Sequence, residues 1–233
     1  MPGRLSIYDD VAFKEDVAMV LGTFRDDIGL LHKRYNIAPT IEIPIYTNDR
    51  VYRYAHFGLI PSWAKERRSM QVNARSETVF EKSSFKEAYK SRRCLIPVNG
   101  YFEWKKDAKT KKSHAQCIVS TTHAYFAFAG IYEWWYDNAL KKSILTCALL
   151  TTEPNDCIAS IHDRMPVILE PEQWNVWLDG KSSYIELNKF YMPLANEKMK
   201  YYPVGDTVNS VRNDSIACIE EEQNSEPRQG SLF

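Results

Sequence analysis

The feature that most constrains the fold is a series of short strand-like runs in which strands mostly follow strands. The runs are rich in β-branched and aromatic residues, are bounded by turn residues, and lie at 41–46, 94–104, 115–120, 125–135 and 143–152. Strands that succeed one another, with helices outside the series, favour an α+β fold. We therefore predict a largely antiparallel β-sheet core with peripheral helices.

Three segments are predicted to form these helices. Residues 9–21 carry apolar side chains at helical spacing. Residues 83–89 begin with two serines, which are typical of a helix start. Residues 170–178 have Pro171 in the first turn and Gly180 just after the end, the usual places of these residues around a helix.

The chain has 233 residues and shows neither an internal repeat nor a Gly/Ser-rich or Pro-rich linker. A chain of this length without a linker indicates one domain. Its last residues are polar and acidic, a composition typical of disorder. We predict a single domain at 1–218 followed by a disordered acidic tail at 219–233.

The net charge is zero, because 30 Lys and Arg balance 30 Asp and Glu. A globally basic nucleic-acid-binding protein is therefore excluded. The balance hides a basic middle, since residues 62–112 contain 14 Lys or Arg against 6 Asp or Glu. Aromatic residues interrupt this segment, and cations beside exposed aromatics suit a basic groove for single-stranded nucleic acid. Solvated surface charge is the simpler interpretation, and composition alone leaves both open.

The five cysteines are odd in number and none is spaced as C-x-x-C, so we expect small buried residues rather than disulfides or a zinc site. No feature predicts a metal or an organic cofactor. No apolar run approaches the about 20 residues of a membrane span. The first residues lack the apolar stretch of a signal peptide. These observations predict a cytoplasmic protein with no membrane partner.

Two side chains are candidates for acid–base chemistry from the residues alone. Glu103 lies between Phe102 and Trp104 in a predicted strand, so its side chain points away from both. If that face is solvent, Glu103 is an ordinary surface carboxylate; if it borders a groove, burial raises its pKa toward neutrality. His162 titrates near neutral pH, although a lone histidine is more often structural. The sequence holds no G-x-S-x-G, P-loop or H-E-x-x-H motif.

Seven short blocks stand in a fixed order along most of the chain. They are Arg-Tyr-Asn-Ile-Ala-Pro-Thr, Gly-Leu-Ile-Pro-Ser-Trp-Ala, Asn-Ala-Arg-Ser-Glu-Thr, Arg-Arg-Cys-Leu-Ile-Pro, Gly-Tyr-Phe-Glu-Trp, Leu-Leu-Thr-Thr-Glu and His-Asp-Arg-Met-Pro. Each block is modest alone, but in this order they resemble the SOS response-associated peptidase (SRAP) family. The resemblance runs from Gly3 to about Val204.

The resemblance implies a DNA-damage protein that binds abasic sites in single-stranded DNA and crosslinks to them. In the family, an N-terminal cysteine exposed by removal of the initiator methionine attacks the ring-opened sugar and closes a thiazolidine. The implied catalytic residues are Asn73, which holds the N-terminus, Glu103, the acid/base in ring opening and dehydration, and His162, which moves protons at the sugar. The implied DNA-binding residues are Gly3, Arg4, Arg75 and Arg164, of which the three arginines contact phosphates, and Trp63 and Pro39, which contact flanking bases. A nucleoid-associated location in the cytoplasm is implied too.

The chain departs from this pattern at its second residue, which is Pro2 instead of cysteine. Proline has no thiol, so a thiazolidine cannot form. If Met1 is removed, Pro2 carries a secondary amine that can form an iminium and drive lyase chemistry. If Met1 stays, the Pro2 nitrogen is a non-nucleophilic amide. The alternatives to covalent chemistry are a non-covalent single-stranded-DNA-binding module and a peptidase confined to self-processing.

The last five residues, Gln-Gly-Ser-Leu-Phe, resemble the bacterial sliding-clamp-binding peptide. Gln229 would be the polar anchor, and Leu232 and Phe233 the two apolar side chains that enter a pocket. A chance apolar end is the alternative, since five-residue motifs have many chance matches. The sequence therefore suggests the replication sliding clamp as a second partner beside single-stranded DNA.

Overall fold

The computed structural model describes residues 3–107 and 109–222. Within them, thirteen strands and five α-helices follow one another along the chain. In chain order they are β1 (Leu5–Ile7), α1 (Val11–Leu21), β2 (Arg25–Asp26), β3 (Arg34–Ile37), β4 (Glu42–Thr47), β5 (Val51–Phe57), β6 (Asn73–Arg75), α2 (Lys86–Ser91), β7 (Arg93–Val98), β8 (Gly100–Lys106), β9 (Ser113–Ser120), β10 (Phe126–Asp137), β11 (Lys142–Thr152), α3 (Asp156–Ala159), β12 (Met165–Pro166), α4 (Pro171–Leu178), α5 (Tyr184–Asn188) and β13 (Met199–Pro203).

Five strands form a closed ring. β11 pairs with β10, β10 with β7, β7 with β4 and β4 with β5, all antiparallel. A parallel pairing of β5 with β11, at His56 with Thr146 and Phe57 with Cys147, closes the ring. Closure satisfies backbone groups that an open sheet would leave unpaired at its edges.

A second, antiparallel sheet has the strand order β13-β9-β8-β1-β3. Leu5 and Tyr101 on one face of it belong to the same buried cluster as Phe57 and Phe128 of the ring. The Tyr101 ring lies 5.7 Å from that of Phe128, edge to face. The two sheets therefore share one hydrophobic core, which agrees with the predicted single α+β domain.

Four helices, α1, α2, α4 and α5, pack on the face of the ring opposite the core that it shares with the second sheet, whereas α3 contributes Ile158 to that shared core. Phe13 of α1 and Trp174 of α4 have ring centroids 5.6 Å apart. Both belong to a second buried cluster with Tyr46 and Leu95 of the ring strands. No helix in the described part of the chain is long and apolar enough to cross a membrane. The peripheral position of the helices confirms that part of the predicted fold.

The helix starts differ in how well the sequence predicts them. α4 begins at Pro171, one residue after the predicted start at 170, and Glu170 and Gln173 form a reciprocal capping box at this end. α2 begins at Lys86, later than predicted, and no side chain caps it. The Phe85 N–H donates to the Lys82 carbonyl at 2.9 Å, so a turn occupies the residues expected to start the helix.

The predicted strand at 94–104 is two strands that belong to different sheets. β7 ends at Val98 and β8 begins at Gly100. The Asn99 side chain fixes the corner between them by accepting the Tyr8 N–H at 2.7 Å and the Asp9 N–H at 3.0 Å. A Cβ on Gly100 would lie 3.1 Å from the Ile118 carbonyl, so the small residue permits close strand packing here.

Hydrogen-bonded structure extends past the predicted domain boundary at residue 218. The Tyr202 hydroxyl donates to the Ile219 carbonyl at 3.0 Å. The Glu222 N–H donates to the Pro203 carbonyl at 2.8 Å. The first residues assigned to the tail are therefore attached to β13, and the rest of it, 223–233, lies outside the described residues.

A buried arginine, Arg93, joins the ends of two helices. Its Nη1 donates to the carbonyls of Tyr89 at 2.6 Å and Lys90 at 3.1 Å, near the end of α2. Its Nε donates to the Trp177 carbonyl at 2.5 Å, and its Nη2 donates to the Asp179 carbonyl, both at the end of α4. Helix-terminal carbonyls lack partners within their own helix, so one guanidinium satisfies both ends.

We expect Arg93→Met to lower the free energy of unfolding by about 3 kcal/mol, because hydrogen bonds to a charged group contribute about 1.5–3 kcal/mol. Chemical denaturation measures the change. Arg25→Met is the matched control, since the Arg25 side chain is 68% exposed and pairs with Asp27 on the surface. Its loss should cost less than about 1 kcal/mol. Equal losses in the two variants would contradict the role assigned to Arg93.

Candidate functional site

The start of the chain runs beside Glu103. β1 pairs antiparallel with β8, with Leu5 opposite Tyr101. The Phe102 N–H donates to the Arg4 carbonyl at 3.0 Å, so the pairing continues toward the N-terminus. Extended by one more residue, the same register brings Gly3 opposite Glu103. Pro2 itself lies outside the described residues.

Glu103 is a buried carboxyl group, with only 4% of its surface exposed. Phe102 belongs to a separate cluster on the opposite face of β8, and Trp104 packs against that cluster. Of the two interpretations that the sequence left open, burial is the one observed. Burial is the main reason that the pKa of Glu103 is raised to about 7, and the nearby negative charge of Asp163 contributes to the rise. A carboxyl group with this pKa can both donate and accept a proton near neutral pH.

Tyr101 is a neighbour of Glu103 that the sequence analysis did not single out. Its side chain lies on the same strand face, because residues two apart on a strand point the same way. Its hydroxyl is buried and has no hydrogen-bond partner among the described residues. Burial raises the pKa of Tyr101 well above its ordinary value, so the hydroxyl stays protonated.

His162 follows α3 in a turn whose geometry the backbone fixes. Its N–H donates to the Ile158 carbonyl at 2.9 Å. Its Nδ1 lies within hydrogen-bond distance of the Arg164 N–H, at 3.0 Å. Burial lowers the pKa of His162, and the Asp163 carboxylate, 2.8 Å from Nδ1, offsets only part of that effect. The imidazole is therefore mostly neutral at pH 7 and able to accept a proton.

Asn73 and Arg75 are the two ends of β6, which pairs in parallel with β11. Alternation places both side chains on one face, while Ala74 between them is fully buried in the core. The Asn73 Oδ1 is buried and has no hydrogen-bond partner among the described residues. The Arg75 side chain is exposed. This face therefore offers an amide and a cation to a ligand.

Arg164 is buried and ion-paired. Its guanidinium donates to the two carboxylate oxygens of Glu77 at 2.6 and 2.9 Å, and to the Thr151 carbonyl at 2.6 Å. Burial opposes ionisation of Glu77, but these hydrogen bonds prevail and lower its pKa. The pair joins the Asn-Ala-Arg-Ser-Glu-Thr block to the His-Asp-Arg-Met-Pro block. Glu77 was not predicted as a site residue. Its place in the Asn-Ala-Arg-Ser-Glu-Thr block is the one sequence signal that could have indicated it.

Arg4, predicted to contact a phosphate, bonds to protein groups. Its Nη1 donates to the Asn36 Oδ1 at 2.6 Å and to the Val208 carbonyl at 2.8 Å. Its Nη2 donates to the Asn209 carbonyl at 3.3 Å, and its guanidinium lies 5.5 Å over the Trp104 ring. The sequence did not predict these acceptors, because they lie far from Arg4 along the chain.

The two residues predicted to contact bases lie on loops. The Trp63 side chain is 63% exposed, which leaves most of the indole available for stacking. Pro39 is half-buried and precedes Thr40, whose φ of 78° is rare for a β-branched residue. Such backbone strain costs about 1–3 kcal/mol and is concentrated at functional loops.

No thiol in the described residues is activated for chemistry. Cys94, Cys117, Cys147 and Cys218 are buried, Cys157 is half-buried, and none forms a disulfide. Burial raises the pKa of Cys117 to about 11, which keeps it protonated. Within residues 3–107 and 109–222 no group of three His, Cys, Asp or Glu side chains is placed to hold a metal.

This chain is similar to proteins of a known family. Residues 1–211 match the family described as SOS response associated peptidase (SRAP), and the chain belongs to this family. It is 35% identical to the abasic site processing protein YoaM of Bacillus subtilis, over 95% of this chain and 99% of YoaM. It is 39% identical to the abasic site processing protein YoqW of the same organism, over 94% of this chain and 99% of YoqW.

A crystal structure gives the same result for the fold. A protein from Bacteroides thetaiotaomicron has a TM-score of 0.82 with this chain at 27% identity, over 94% of this chain and 99% of that protein. The predicted family and the predicted α+β fold are confirmed.

The raised pKa of Glu103 should make the free energy of unfolding depend on pH. The pKa of Glu103 is raised from 4.5 to about 7 in the folded chain. The folded chain therefore loses stability as the pH rises from the pKa of the unfolded state through the pKa of the folded state. One pKa unit corresponds to about 1.4 kcal/mol, which gives about 3 kcal/mol in all. Glu103→Gln cannot ionise, so its stability relative to the parent should increase by that amount between pH 4.5 and pH 8. Urea unfolding at the two pH values measures this, and a pH-independent difference would argue against the assigned pKa.

Proposed function

We propose that this chain processes abasic sites in single-stranded DNA and that its N-terminal residue engages the ring-opened sugar aldehyde. The observation that carries the proposal is the strand register of β1 and β8, which brings Gly3 opposite Glu103. The pKa of that carboxyl, about 7, suits acid–base work on an aldehyde. Family membership and the names of the relatives support the substrate.

The chemistry begins with removal of Met1, which exposes the secondary amine of Pro2. Its nitrogen attacks C1′ of the open sugar, and the carbonyl oxygen becomes a hydroxyl with a proton from Glu103. The Glu103 carboxylate then takes the proton of the new ammonium group and donates it to the hydroxyl, which leaves as water and gives an iminium. Loss of a proton from C2′ to His162 then breaks the C3′–O bond, and the 3′ phosphate leaves with the electron pair. Hydrolysis of the remaining iminium frees Pro2.

The other predicted residues have supporting roles. The Asn73 amide orients the N-terminal residue, and the exposed Arg75 contacts a phosphate. Arg164 pairs with Glu77 and so holds the two blocks that carry these residues together beside the proposed DNA contact. The exposed Trp63 stacks on a base, and Pro39 acts as a wedge.

Two alternatives to this chemistry stand. If Met1 is retained, the Pro2 nitrogen is an amide and the chain is a non-covalent single-stranded-DNA-binding module. If the family name describes the activity, the peptidase reaction is limited to self-removal of Met1. Intact mass separates retention of Met1 from its removal.

Borohydride trapping on single-stranded DNA with one abasic site tests the covalent step. We expect a shifted band on a denaturing gel only with reductant, and cleaved DNA without it. The trapping rate should fall as pH rises through about 7, because Glu103 must donate a proton. Glu103→Gln should lower the rate about 100-fold, within the range that general acid–base catalysis contributes.

Two further variants serve as controls. Glu133→Gln changes another buried glutamate, one paired with Arg92 at 2.7 Å, and should leave trapping unchanged. Pro2→Cys should give a band without reductant, since a thiol can close the thiazolidine. DNA binding without any band in the parent would favour the non-covalent module.

We also propose that the C-terminal peptide docks on the replication sliding clamp. The support is its sequence, because Gln229, Leu232 and Phe233 lie outside the described residues. The full chain should bind a bacterial clamp in calorimetry, and Leu232→Ala with Phe233→Ala should abolish the heat of binding. Matched replacement of Ser225 by Ala should change nothing. Equal binding by all three chains would refute the docking role.

A further inference from the structure

Residues 206–214, which we term the C-terminal strap, lie against the backbone and side chains that flank the start of the chain. The strap supplies the Val208 and Asn209 carbonyls to the Arg4 guanidinium. Its Asn209 Oδ1 accepts the Trp104 Nε1–H at 2.7 Å. The strap therefore contacts Arg4, just before β1, and Trp104 of β8, next to the register that brings Gly3 opposite Glu103.

Asn36 on β3 connects the strap to Arg4 from the other side. Its Oδ1 accepts from Arg4, and its Nδ2 lies within hydrogen-bond distance of the carbonyls of Val208 at 3.1 Å, Ser210 at 3.0 Å and Asn213 at 2.8 Å. One buried amide thus uses its acceptor for the chain start and its donors for the strap. Buried amides with all polar atoms satisfied fix geometry strongly.

Asp214 anchors the far end of the strap on β3. Its Oδ1 accepts the N–H groups of Tyr35 at 2.6 Å and Asn36 at 3.1 Å, and its Oδ2 pairs with Arg34 at 2.8 Å. Burial opposes ionisation, but these bonds prevail and lower the pKa of Asp214. The family match ends at residue 211, so this anchor lies beyond it.

The sheet separates the Arg4 side chain from the proposed chemistry. Leu5 and Tyr101 share one face, so Arg4 lies on the opposite face with Phe102 and Trp104. The Glu103 carboxyl lies on the first face. The backbone of Arg4 is held by Phe102, and its side chain by Asn36 and the strap.

We infer that the strap and Asn36 position the N-terminal residue for reaction, with Arg4 as the positioning residue that transmits their hold rather than as a phosphate contact. This inference rests on the proposed function. Pro2 stands two positions before Arg4, so movement of Arg4 would displace the Pro2 amine. Misplacement of a reacting group by about 1 Å costs about 100-fold in rate.

The test uses Asp214→Ala in the full chain, with single-turnover borohydride trapping and a separate measurement of DNA affinity. We expect the trapping rate to fall at least tenfold, with affinity for abasic single-stranded DNA unchanged within twofold. Loss of a negative charge would by itself favour DNA binding, so a slower reaction cannot come from weaker attraction. Asp214→Asn keeps an acceptor oxygen and should restore part of the rate. Asp27→Ala, which removes another Arg–Asp surface pair, is the matched control and should change neither quantity.

Arg4→Gln separates positioning from phosphate contact. Loss of one phosphate contact reduces the slope of log affinity against log salt by about 0.7 for a single strand. We expect an unchanged slope and a trapping rate reduced at least tenfold. A reduced slope with an unchanged rate would overturn the inference.

Hydrogen exchange at the Phe102 amide, which donates to the Arg4 carbonyl, reports on positioning without any chemistry. In Asp214→Ala we expect this exchange to accelerate. If the parent gives no trapped band, the proposed function fails, while this exchange still tests whether the strap holds the chain start. Unchanged exchange, or faster exchange with an unchanged trapping rate, would overturn the inference.

Discussion

The antiparallel pairing of β1 with β8 is the interaction on which the candidate site depends. It places the chain start along a strand whose side chains alternate between two environments. Tyr101 belongs to the core shared by the two sheets and Glu103 lies on the same strand face, whereas Phe102 belongs to the smaller cluster on the other face. A shift of one residue would exchange these faces and send Glu103 to the other side. The register thus decides which residue the N-terminus meets.

The burial of ionisable groups is the second constraint, and the chain accommodates it in two ways. Arg93 is surrounded by helix-end carbonyls and Arg164 by the carboxylate of Glu77, so both cations have acceptors. The pKa of Glu103 is raised to about 7, so this carboxyl group keeps its proton up to neutral pH. The first two arrangements stabilise structure, whereas the third costs stability at neutral pH. A group kept at that cost is typical of a functional site.

The sequence predicted the strand-rich α+β fold well because its signals are local. The β-branched and aromatic runs became β4, β9, β10 and β11 with small shifts at their ends. The run at 94–104 was predicted as one strand, since no local signal shows that Asn99 folds back onto Tyr8 and Asp9. The serines at 83–84 led to a helix start that was predicted too early. A turn ending at Phe85 satisfies the backbone groups that a serine cap would otherwise satisfy.

For the site, the sequence by itself determined which chemical groups are present and that Glu103 points away from Phe102 and Trp104. Alternation along a strand is a local property, so it needs no knowledge of partners. Only the tertiary structure decided that the Glu103 face is buried, that Arg164 pairs with Glu77, and that Arg4 bonds to the strap instead of standing free. These contacts join residues tens to hundreds of positions apart. The free energy of desolvation that sets the pKa of Glu103 depends on what the rest of the chain packs against it, which no local pattern encodes.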